Sequence, residues 1–127
     1  MSPLRLSPED FEALVAEAVD ALPDVFLEML DNVDIVVEDW PDRRTMALAG
    51  AASRYDLLGF YHGVPQTARP HDYGNVAPDK ISIYQRPIEA QCRTLDEVRD
   101  LVGRVVRHEI AHHFGIDDDR LREIGAY

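Results

Sequence analysis

The stretch "TLDEVRDLVGRVVRHEIAHHFGIDDDR", residues 94–120, carries both the longest helical pattern in the chain and its densest group of metal-ligand residue types. Thr94 followed by Glu97 has the form of a capping box, which satisfies amides left open at a helix start. Val98, Leu101, Val102 and Val105 then recur at helical spacing and form an apolar stripe. Gly115 suits the left-handed position that ends such a helix, and Ile116 can fold back on Ile110 or Ala111. The reading predicts a helix over 94–114 that stops abruptly just before three aspartates.

Within its last two turns the helix carries His108, Glu109 and His112 as H-E-x-x-H. At about 100° per residue, His108 and His112 lie about 40° apart on one face, so both imidazoles can reach one ion. Glu109 flanks the pair, where a carboxylate can act on a water held by the metal. His113 is about 140° from His108 and reads as a structural or surface residue. A chain that turns at Gly115 can bring back Asp117, Asp118 or Asp119, all three by reach alone. Two imidazoles and one carboxylate leave a fourth position open, as catalytic zinc sites do. The alternative use of these aspartates is to cap a short terminal helix, "RLREIG". One can cap while another binds.

Upstream, "SPEDFEALVAEAVDALP" (7–23) reads as an amphipathic helix with Ser7 as cap and Pro8 in the first turn. "DVFLEML" suggests a short helix, and "VDIVVEDW" (33–40) a strand ended by Pro41. "TMALAGAA" fits either a helical turn or a loop. "DLLGFYHG" and "KISIYQRP" read as two further strands, joined by "VPQTARPHDYGNVAPD", a loop rich in Pro, Gly, Asn and Asp. The order of elements predicts one α+β domain over 1–127, with a small mixed sheet.

Composition sets the outer limits. At 46% hydrophobic and 29% charged, the 127 residues resemble an ordinary globular domain able to bury a core without disulfides. The single cysteine, Cys92, has no partner for a bridge and reads as a small buried hydrophobe. Net charge is −11; residues 1–42 hold twelve acids against one base, Arg5. Such a surface repels phosphate backbones, so no nucleic-acid partner is expected. "MSPLRLSPED" lacks the basic start and apolar run of a signal peptide, and no stretch has the roughly 20 apolar residues of a membrane span. The expected location is cytoplasmic, with no membrane partner.

"HEIAHHFGIDD" resembles the extended zincin signature H-E-x-x-H-x-x-G-x-x-H/D. With "VVEDWP", "LLGFYHGVP" and "PDKISIYQRPIEA" in the same order, residues 33–125 resemble small bacterial zincin-like proteins, zinc metallopeptidases with a minimal matrix-metalloprotease-like domain. The resemblance implies a zincin fold, in which a small mixed sheet packs on the helix bearing H-E-x-x-H. It implies one Zn2+ per chain held by His108, His112 and Asp118, with Glu109 as general base. A peptide or protein substrate would pair with an edge strand above the cleft, either "LLGFYHG" or "KISIYQR". Tyr73 and His62 are the candidates for stabilising an oxyanion, each with a structural reading beside it. Two features depart from the metzincin pattern: an aspartate as third ligand, and no methionine-bearing turn after Asp118. The missing wall suits a second reading, a zinc-holding module that docks a partner without cutting it. The retained Glu109 suits the enzyme, because docking needs no general base. A third reading, a metal-dependent RNA-processing hydrolase built on three histidines, fits neither Glu109 nor the acidic charge.

Overall fold

A computed structural model describes residues 4–63, 79–116 and 118–123, with the side chains of Asp118 and Leu121 left aside. The loop reading over 64–78, and Tyr73 within it, lie outside the described residues.

Helix α1 (Pro8–Asp20) starts where Ser7 Oγ accepts the Asp10 amide at 3.1 Å. Its stripe of Phe11, Leu14, Val15 and Ala18 is buried. A short helix α2 (Asp24–Met29) adds Phe26 to the same core. Strand β1 (Val33–Glu38) follows, then α3 (Arg43–Ala49), which resolves the undecided "TMALAGAA" segment as largely helical. The Asp42 carboxylate caps α3 by accepting the Thr45 amide at 2.7 Å. A 3₁₀ turn (Arg54–Asp56) leads into β2 (Gly59–His62), and β3 covers Asp79–Tyr84.

The sheet has the order β1-β3-β2, with β1 parallel and β2 antiparallel to the central β3. Of the two segments offered above as the open edge, "KISIYQR" is therefore excluded by its central place, and β2 is an edge. Side chains alternate across β3. Ile81 and Ile83 are fully buried in the core with α1 and α5, while Ser82 lies on the opposite face. There Ser82 Oγ donates to Glu38 Oε2 of β1 at 2.5 Å and meets His62 Nε2 of β2 at 3.2 Å. Its proton being given to Glu38, Ser82 accepts from the imidazole. A polar chain thus crosses all three strands.

"KISIYQRP" is a correction. The strand stops at Tyr84, and α4 (Gln85–Ala90) replaces its predicted end. One helical turn puts Gln85 and Glu89 on the same face. Gln85 Nε2 donates to Leu6 O at 2.9 Å and to Glu89 Oε2 at 3.1 Å, and Glu89 Oε2 accepts the Leu6 amide at 2.7 Å. Arg86 Nη1 donates to Glu89 Oε1 at 2.8 Å, so the buried carboxylate is paired. Pro87 falls in the first turn, where no intrahelical donor is needed.

Helix α5 (Leu95–Phe114) runs under the sheet with Val98, Val102, Val105, Val106, Ile110 and Ala111 buried. Thr94 Oγ1 accepts the Glu97 amide at 3.1 Å. Glu97 takes the Arg93 amide at 3.3 Å rather than that of Thr94, a displaced form of the expected box. Cys92 is a free thiol, buried as expected, and burial pushes its pKa up. Among the described residues no helix is long and apolar enough to cross a membrane.

Candidate active site

α5 ends as its sequence requires. Gly115 takes φ 72°, Ile116 N–H donates to Ala111 O at 2.7 Å, and Gly115 N–H to His112 O at 3.3 Å. This pair of bonds is the Schellman arrangement, and Ile116 packs back against the core. Helix α6 (Asp118–Glu123) follows.

His108 and Glu109 line a cleft of about 250 Å3 between α5 and the segment leading into β2. Asp56, Leu57, Leu58 and Gly59 form one wall, and Leu101, Arg104 and Val105 continue the other along the helix. His112 lies a turn further on and is exposed. Among the described residues no group of three or more His, Cys, Asp or Glu is gathered as for a metal. His108 and His112 are the described part of the predicted set; the Asp118 side chain falls outside it. The Asp119 side chain is 87% exposed, with Oδ1 3.4 Å from Arg122 Nη1.

Glu109 is where sheet and helix meet. Leu58 pairs with the amide of Tyr84, and strand alternation then turns the Tyr61 N–H outward from β3. That amide donates to Glu109 Oε1 at 3.0 Å. Burial raises the Glu109 pKa above the ordinary carboxylate value, while the Tyr61 amide and His112 oppose the rise. A carboxylate shifted upward and held by one oxygen is suited to accept a proton with the other.

His113 has a definite place. Its ring stacks on Tyr61 with centroids 3.9 Å apart and planes 12° from parallel, and Nε2 is 3.7 Å from Asp79 Oδ2. The helical wheel sets it off the face of His108 but shows nothing of this neighbour. His62 projects to the opposite face of the sheet, against Ser82, so it is a structural residue and not part of the cleft.

The family model for Zincin-like metallopeptidase matches residues 30–126 of the chain. No curated protein matches it.

Proposed function

Because this chain belongs to the Zincin-like metallopeptidase family, we propose that it is a zinc-dependent peptidase, with His108, His112 and Asp118 as ligands and Glu109 as general base. The donor set fits the ion. Two imidazoles stand one turn apart at the end of α5, Gly115 ends that helix, and a carboxylate residue opens α6. When bound, zinc would lower the pKa of a coordinated water to about 7 and polarise the substrate carbonyl.

The chain's own residues supply the rest. Glu109 takes the proton of the attacking water through the carboxylate oxygen not held by Tyr61, and passes it to the departing amine. The cleft beside Leu57, Leu58, Leu101 and Val105 takes an apolar side chain of the substrate. β2 is an edge strand, and in this reading an extended peptide pairs along its outer side at backbone groups other than the Tyr61 N–H, which Glu109 already holds.

The observation that carries this reading is the Tyr61 N–H to Glu109 bond. It joins the carboxylate of H-E-x-x-H to an edge strand, the two parts a peptidase of this kind must bring together. Cleavage of a peptide library by zinc-loaded protein, with elemental analysis of the same sample, tests it. One zinc per chain and cleavage beside apolar residues are expected. Full zinc without cleavage of any peptide would replace the enzyme by a docking module, and no zinc would remove both.

A further inference from the structure

Beyond its strand pairing, Tyr61 is held at its hydroxyl and its ring, and the two residues that hold it also meet each other. Its hydroxyl donates to Asp79 Oδ2 at 2.8 Å, its ring lies flat on His113, and His113 Nε2 approaches the same Asp79 oxygen at 3.7 Å. Asp79 is buried at the start of β3, and His113 is 13% exposed at its side chain. Gly63 makes the arrangement possible. A Cβ there would stand 2.7 Å from Tyr61 Cε1 and 2.8 Å from Asp79 Cγ, closer than such atoms approach.

We infer that His113, Tyr61, Gly63 and Asp79 form a clamp that positions the Tyr61 amide, and through it the Glu109 carboxylate. This rests on the reading of Glu109 as general base. β2 is a short edge strand of four residues, so pairing to β3 on one side leaves it free to twist about that seam. The ring of Tyr61 lies on the helix side and is pinned there by a residue of α5 itself. His113 and Glu109 are four apart on α5, so one turn of helix fixes both the Tyr61 ring and the acceptor of its amide. Loss of the stack lets β2 shift relative to α5, and the carboxylate loses the donor that orients it. His113 acts through Tyr61, as a positioning residue, and needs no contact with substrate or metal.

The test compares the zinc-loaded parent with His113→Ala, His113→Phe and Gly63→Ala. Amide hydrogen exchange at Tyr61 and cleavage of the best library peptide are both measured. His113→Ala should keep its zinc, exchange the Tyr61 amide at least several times faster, and lose about 10- to 100-fold in kcat with little change in KM. His113→Phe keeps a ring on Tyr61 and should recover most of that loss. Gly63→Ala removes no functional group and should repeat the His113→Ala pattern by forcing Tyr61 and Asp79 apart. Unchanged Tyr61 exchange in His113→Ala would overturn the clamp. Equal loss in His113→Phe and His113→Ala would also overturn it, since stacking would then not be the cause. Should the parent cleave nothing, the peptidase reading fails, and the exchange data still decide whether the clamp exists.

Discussion

Substituting Gly59 by alanine should loosen the seam between the sheet and α5. A Cβ at this position would come within 2.6 Å of Val105 Cγ1 and 3.0 Å of the Ser82 carbonyl oxygen. Val105 is branched and buried at 9% exposure, and Ser82 is the middle of the central strand, so neither can yield easily. Overpacking of this kind costs about 1–3 kcal/mol. The lower unfolded-state entropy of alanine offsets about 0.4–1 kcal/mol of that. A net loss of roughly 1–2 kcal/mol follows, equivalent to about 3–8 °C in melting temperature for a domain of this size. Urea denaturation measures it directly. Removing the opposing atom tests the cause: Gly59→Ala with Val105→Ala should be more stable than the sum of the two single changes by about 1 kcal/mol. Additive effects, or a Gly59→Ala protein as stable as the parent, would refute direct seating of β2 on Val105. The walls of the cleft beside His108 would then be set by something else.

Four-residue spacing on α5 predicts that His108→Ala and His112→Ala lose zinc by elemental analysis, while His113→Ala keeps it. In chelator competition Asp118→Ala should weaken zinc far more than Asp119→Ala, whose carboxylate is committed to Arg122. Thr94→Ala should cost about 1 kcal/mol in urea by leaving the Glu97 amide without its acceptor. Burial, and then Lys80, hold the His62 imidazole below its ordinary pKa of 6.5, so the folded chain favours its neutral form. A depressed folded pKa means that the stability from this site is complete above the unfolded value and is lost as pH falls below it. Comparing His62→Gln with the parent should therefore show a stability difference that shrinks as pH drops from about 7 toward 5; a pH-independent difference would contradict the buried neutral imidazole.

What could be read from the sequence was local. Helix α5 announces itself through Thr94, the valine stripe and Gly115, each acting within a turn or two of its own position. The same locality placed His108 and His112 on one face and left His113 off it. α4 is hidden in the sequence because "YQRP" looks like a strand running into a proline. The helix there is favoured by Gln85 and Glu89 binding Leu6, a segment remote in sequence. The order of the strands was equally out of reach. β3 is central because both its neighbours pair with it, and no local pattern in "KISIY" states which partners it has. The place of His113 depends on Tyr61 and Asp79, which sequence separation hides. One signal was available: an aromatic, a glycine and an aspartate on either side of the Pro- and Gly-rich stretch 64–78, with a spare histidine beside the motif.

The central claim, that Glu109 acts as a base beside a zinc held by its helix neighbours, is tested most directly by the ratio of turnover in the parent to that in Glu109→Gln at equal zinc content. The amide keeps the size of the side chain and can still receive the Tyr61 N–H, but it cannot take a proton. Loss of about 10²- to 10⁴-fold in kcat is expected, with zinc and peptide affinity unchanged. Turnover in Glu109→Gln within a few-fold of the parent would contradict the account.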